Sequence, residues 1–133
     1  TAVKGYPDLA GQTVGVTRGT VEDQTLTENA TQSTIRRYED VPTLVTAVVS
    51  GQVKLSAGST TMLTNINKSA HNGFSKKFTM RESQIAVGLR KNNPELLAWV
   101  NAWIDTNLKN GKLGAIYKKY HGVELSNSIG AAH

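Results

Sequence analysis

Five consecutive residues, Thr17-Arg18-Gly19-Thr20-Val21, have the make-up of an anion-binding turn. A β-branched run ends at Thr17, Gly19 lets the backbone come close to a ligand, and Thr20 stands where a helix N-cap belongs. The start of a helix leaves backbone N–H groups unpaired and carries roughly half a positive charge, so it draws a carboxylate or a phosphate. The hydroxyls of Thr17 and Thr20 can add donors. The same residues also suit an ordinary capped strand-to-helix turn, which α/β domains contain in number. Spacing alone leaves both readings open.

Other chemistries are poorly served. Gly15-Val16-Thr17-Arg18-Gly19 lacks the third glycine of a dinucleotide fingerprint, and no Gly-Lys-Ser/Thr follows as in a phosphate loop. His71, His121 and His133 have no neighbours at metal-ligand spacing, and cysteine is absent, so neither a metal nor another cofactor is expected. There is no nucleophile elbow and no carboxylate pair on one face near a histidine, which argues against an enzyme. Lys76-Lys77, Arg90-Lys91 and Lys118-Lys119 lack interleaved aromatics, so no nucleic-acid partner is expected. Trp99 and Trp103, on one helical face, read as packing or interface residues.

The elements that must position the turn alternate. Gln12–Thr17 is a strand, followed by a helix over about Val21–Asn29 and a second strand at Thr34–Tyr38. Asp40 caps a helix with Pro42 in its first turn and Leu44, Val45, Val48 and Val49 on one face, closed by Gly51. Val53–Ala57 is a third strand, and Ser59 or Thr60 opens a helix bearing Met62, Leu63 and Ile66. Asn67–Ser75 is a loop; Phe78–Met80 and Ile85–Leu89 read as further strands. From Pro94 runs the strongest helical period, Leu96, Leu97, Val100, Trp103, Ile104 and Leu108. A last helix carries Leu113, Ile116, Tyr117 and Tyr120 and ends at Gly122. This rhythm predicts an α/β fold, a mostly parallel sheet with helices on both faces. In such sheets ligands sit beyond the carboxyl ends of the strands, where the Thr17–Val21 turn falls.

The 133 residues suffice for one buried core but not two. A hydrophobic content of 38% with 19% charge is too apolar and too mixed for a disordered tail. The longest apolar runs, Leu96–Val100 and Ile85–Leu89, are far short of a membrane span, so no membrane insertion is expected. No basic segment with an apolar core opens the sequence, so a signal peptide is read as cleaved or never there. The net charge of +5 is uneven: residues 1–50 carry four basic and six acidic side chains, residues 51–133 eleven and four.

Asp8 to Thr20, read as Asp-Leu-Ala-Gly-Gln-Thr-Val-Gly-Val-Thr-Arg-Gly-Thr, resembles the opening of the second lobe of family 3 solute-binding proteins, the amino-acid receptors of ABC importers. Arg37-Tyr38-Glu39-Asp40, Val49-Ser50-Gly51-Gln52-Val53, Ile85–Lys91 running into Pro94–Val100, and Asn110–Gly122 are similar to later stretches of that family, in order over residues 8 to 122. The resemblance implies one lobe of a type II clamshell: a connector or hinge at 1–11, the second lobe at 12–91, C-terminal helices at 92–122 and a tail at 123–133. Gly130-Ala131-Ala132-His133 suits the edge of an expression tag. It implies a small polar amino acid as ligand, held by Thr17, Arg18, Gly19, Thr20, Val21, Ser59 and Thr60, with the α-carboxylate on the Arg18-Gly19-Thr20 turn. The intact parent would be periplasmic or extracellular and deliver its ligand to an ABC permease. A first lobe is expected before residue 1, so binding by this chain alone is expected to be weak or absent.

Two departures stand out. Where the family usually has Asp after Gly51-Gln52-Val53, and another Asp five residues later for the ligand's ammonium, this chain has Lys54 and Ser59. Lys54, Ser56 and Gly58 are also unusual in a strand buried on both faces. An isolated or engineered lobe, its surface rewritten to stand alone, accounts for both. Two other functions remain in view: a structural domain that dimerises through Leu96, Val100, Trp103 and Ile104, and a fragment of a cyclohexadienyl-dehydratase-like enzyme with Glu22 as its acid.

Overall fold

Thr13–Thr17 (β1) is the middle strand of a three-stranded sheet of order β2-β1-β3, between Thr34–Tyr38 (β2) and Leu55–Ser56 (β3). The computed structural model describes residues 2–70 and 73–126. Both strand pairs are parallel, with Thr17 opposite Tyr38 and Gly15 opposite Ser56. Parallel neighbours need crossovers, and the helices Val21–Asn29 (α1) and Val41–Val49 (α2) supply them. A short 3-10 helix, Tyr6–Leu9, precedes the sheet, and Thr60–Ser69 (α3) follows β3.

Alternation along β1 divides the core in two. Val14 and Val16 pack with Leu26 of α1, and with Val3, Leu9, Ala30 and Ala57. Tyr38, Val53, Leu44, Ala47 and Val48 form a second cluster with Met62 and Ile66 of α3. Gly15 lies toward that second cluster, and its missing side chain lets α2 approach the sheet. Helices therefore cover both faces, in agreement with the α/β reading.

Local chemistry sets the helix starts. Thr20, Asp40 and Ser59 each accept a bond from the backbone N–H three residues on, at 3.3, 2.8 and 3.2 Å. Gly51, at φ 77, follows the end of α2 in the left-handed conformation that glycine adopts without a Cβ clash.

Three strand expectations are corrected. The third strand is confined to Leu55–Ser56, because the Val53 N–H turns back to the Ala47 carbonyl (3.3 Å) and Lys54 is exposed. Phe78–Met80 forms no ladder; these residues cap the first core cluster, with Phe78 edge-on to Tyr6 at 5.2 Å and the Tyr6 hydroxyl donating to the Met80 carbonyl at 3.3 Å. Ile85–Leu89 is not a strand either: Ile85 is 93% exposed, and no described strand pairs with the segment.

The chain divides into two compact units, Thr1–Glu82 and Ser83–His133. The second holds Pro94–Lys109 (α4), capped by Asn93, and Lys112–His121 (α5), joined through Asn110 and Gly111. Its buried polar residue, Asn107, donates to the Trp103 carbonyl at 2.7 Å. Leu96, Leu97, Trp99 and Trp103 are exposed, and Val100 and Ile104 partly so. His71, His133 and the Gly130–His133 tail lie outside the described residues.

Candidate functional site

β1 delivers Thr17 to the carboxyl end of the sheet, where α1 and α3 begin. A cavity of about 180 Å³ opens there, lined by Thr17, Thr20, Glu22, Val41, Ala57, Gly58, Ser59 and Met62. Thr20 and Glu22 come from the start of α1, Val41 is the first residue of α2, and Ser59 is the N-cap of α3. Three helix N-termini thus contribute to one hollow, and their partial positive charges favour an anionic group inside it. Val41, Ala57 and Met62 give it an apolar wall.

Of the seven residues expected from the sequence, Thr17, Thr20 and Ser59 come together in this cavity. Arg18, Gly19, Val21 and Thr60 do not line it. Arg18 spans outward to Glu39 (Nε to Oε1 3.1 Å), with both side chains more than half exposed, and its backbone N–H donates to the Tyr38 carbonyl at 2.8 Å. Val21 is half exposed, and Thr60 follows the Ser59 cap.

The turn is held by its own side chains. Gly19, at φ 72, occupies the left-handed region and donates its N–H to Asp23 Oδ2 at 3.0 Å. The Thr20 hydroxyl donates to the Thr17 carbonyl at 2.8 Å. Asp23 is 7% exposed and takes Arg37 Nε on both carboxylate oxygens, at 2.9 and 3.1 Å, while Arg37 Nη2 donates to Thr27 Oγ1 at 2.9 Å. Two donors foreseen for a ligand, the Gly19 amide and the Thr20 hydroxyl proton, are therefore engaged within the fold. The N–H groups of Val21 and Glu22 are in the first turn, where the helix offers no carbonyl to them. Ser59 uses an oxygen lone pair on Met62 N–H, a bond that leaves its proton available.

A larger hollow of about 350 Å³ lies beside the turn, lined by Gly19, Thr20, Asp23, Gln24, Thr27, Glu28 and Arg37. Asp23, Arg37 and Thr27 are bonded to one another there, and Gln24 to Glu28, so its polar groups are largely spent. The smaller cavity is the better candidate on chemical grounds. Next to it, the Asp40 carboxyl that caps α2 is held below the ordinary carboxyl range by hydrogen bonds from the Thr43 side chain and backbone N–H. Among the described residues no group of three or more His, Cys, Asp or Glu gathers as metal ligands, and no helix is long and apolar enough to cross a membrane.

Glu22, Val41, Ala57, Gly58 and Met62 are cavity residues that the sequence did not offer as ligand contacts. The signal for them was present: each lies at a helix start or just past a strand end, where open α/β sheets place their ligands.

Residues 9–123 match the family model of bacterial extracellular solute-binding proteins, family 3. The L-cystine-binding protein TcyJ of Escherichia coli (strain K12) is 29% identical over 127 residues, covering 93% of this chain and 47% of TcyJ. The chain thus spans about half the length of the curated relatives it matches. Among solved structures, substrate-binding domain 2 of Lactococcus lactis GlnP in its open conformation aligns with a TM-score of 0.69 at 21% identity, over 93% of this chain and 55% of that one. The ancestral amino acid-binding protein AncCDT-1, a precursor of cyclohexadienyl dehydratase, aligns with a TM-score of 0.57 at 25% identity, over 90% and 51%.

Proposed function

The chain belongs to family 3 of the bacterial extracellular solute-binding proteins, and from that premise we propose that it forms one wall of a site for a small polar amino acid. The ligand carboxylate is received by the first-turn N–H group of Glu22 and by the hydroxyls of Thr17 and Ser59. The observation that carries this reading is the hollow into which three helix N-termini contribute. The family's relatives are solute-binding proteins, which supports binding over catalysis.

The rest of the clamshell lies in the part of the relatives that this chain does not span, and there the aromatic walls and the covering of the ligand are to be sought. The exposed Leu96, Leu97, Trp99 and Trp103 fit the same view, since a longer polypeptide would supply their cover. In the intact protein the ligand passes to an ABC importer outside the cytoplasmic membrane. One wall without its partner leaves the ligand open to water. Binding by this chain is then of order millimolar, about −4 kcal/mol against about −8 for a micromolar clamshell.

The test is an amide-resolved NMR titration with the twenty common L-amino acids and L-cystine. The expected result is millimolar shifts at Thr17, Thr20, Glu22 and Ser59. Shifts confined to other residues, or a micromolar complex with the isolated chain, would sink the proposal.

A further inference from the structure

We infer that Glu22 sets which ligands the cavity accepts, by pairing with an ammonium group carried beside the ligand's carboxylate. The inference rests on the amino-acid reading of the cavity. Glu22 is the ionisable residue of that lining; its neighbours there are hydroxyl or apolar side chains. It is half-buried, and no hydrogen bond or ion pair joins its side chain to another described residue.

Asp23, its immediate neighbour, shows what a satisfied carboxylate looks like in the same helical turn. It is buried, doubly bonded to Arg37 and bonded to the Gly19 N–H. Asp23 is thereby tied to the turn and to β2, whereas Glu22, also in the first turn of α1, has no bonded partner among the described residues. A simple carboxylate entering the hollow gains the helix N-termini but meets the negative charge of Glu22. A zwitterion gains both, because its ammonium makes a charge-assisted bond to Glu22, stronger in a partly desolvated site than in water. The geometry thus selects amino acids over plain carboxylic acids, and disfavours a ligand that would bring a second carboxylate to that corner.

L-alanine and propionate differ only in the α-ammonium and suit the experiment. The wild-type chain and Glu22→Gln are titrated with each, following the amides of Thr17, Thr20 and Ser59. Wild type is expected to prefer L-alanine by about tenfold or more, the usual worth of a hydrogen bond to a charged group. Glu22→Gln should lose that preference, by weaker alanine binding, tighter propionate binding or both. A wild-type preference near unity overturns the inference without any variant. So does an unchanged preference in Glu22→Gln; if the same amides still shift, the amino-acid reading of the cavity survives that result. Equal loss of both ligands in the variant also overturns it, since Glu22 would then be structural. If neither ligand moves those amides in the wild type, the cavity reading itself falls and the inference with it.

Discussion

Gly15→Ala probes the packing of α2 against the sheet. A Cβ built on Gly15 would sit 2.9 Å from Leu44 Cδ1, 3.1 Å from Val53 Cγ1 and 3.2 Å from Tyr38 Cε2. Those neighbours come from α2, from the approach to β3 and from β2, and all are 9% exposed or less. None has a solvent side to retreat into, so relief requires α2 to lift from the sheet. Overpacking of this kind costs about 1–3 kcal/mol. The lower chain entropy of alanine in the unfolded state returns about 0.4–1 kcal/mol. With the nearest contact at 2.9 Å the cost falls in the upper half of that range, and the net expectation is a loss of about 1–2.5 kcal/mol, or a fall in Tm of roughly 4–20 °C for a cooperative unit of this size. Gly58→Ala is the matched control. Its Cβ would also run into a neighbour, but that neighbour is the Cε and Sδ end of Met62, which can rotate away into the cavity. Its cost should stay below about 1 kcal/mol. Urea melts followed by circular dichroism measure both. If Gly15→Ala falls within about 0.5 kcal/mol of wild type, or Gly58→Ala costs as much, the rigidity of the neighbours does not set the price and the reasoning fails.

Two further outcomes follow from the turn and its surroundings. Arg37→Ala leaves the buried Asp23 carboxylate with the Gly19 N–H as its remaining bond to the turn; a loss of about 1–3 kcal/mol is expected, at the lower end because Arg37 is itself 35% exposed. Arg18→Ala, which breaks the exposed pair with Glu39, should stay within about 0.5 kcal/mol, and equal urea midpoints for the two variants would count against this ranking. The second concerns acid. The folded Asp40 carboxyl lies below its ordinary value of 3.8, so its stabilising contribution is complete above that pH and is lost as pH falls through the lower folded value. Asp40→Asn keeps a cap without the titration, and its stability should fall less steeply than wild type below pH 3.8; parallel acid arms would disprove the assignment.

Legibility followed the range of the interactions. The alternation from β1 through α3 could be read because strand periods, the caps Thr20, Asp40 and Ser59, and the stop at Gly51 are all decided within a few residues. Ile85–Leu89 carries the same β-forming composition, but composition does not provide the neighbour that a ladder requires. Val53 was misplaced for a related reason, since its N–H prefers the end of α2 to the sheet. In the site, Thr17, Thr20 and Ser59 were found from the rule about strand ends. The Thr20-to-Asp23 spacing suits a capping box, in which the acid reaches back to the helix start, but the Asp23 carboxylate settles on the Gly19 amide with Arg37, fourteen residues further along, holding it. That Asp23 is buried on Arg37 while Glu22 lines the cavity is decided by the tertiary fold.

The strand order has a consequence for solubility. Among the described residues β2 has a neighbour on one side only, so its outer backbone groups present an edge on which a second strand could grow. That edge carries Arg36 and Arg37 at its centre, both exposed, with Arg36 lying over the Tyr38 ring at 5.4 Å. Arg37 turns its charge to Asp23, so Arg36 is the cation that this edge presents, and charge on an open edge opposes the stacking of like chains. Arg37 braces the turn while Arg36 guards the edge. A neutral replacement of Arg36 leaves a less guarded template for edge-to-edge aggregation, so lower soluble yield is expected.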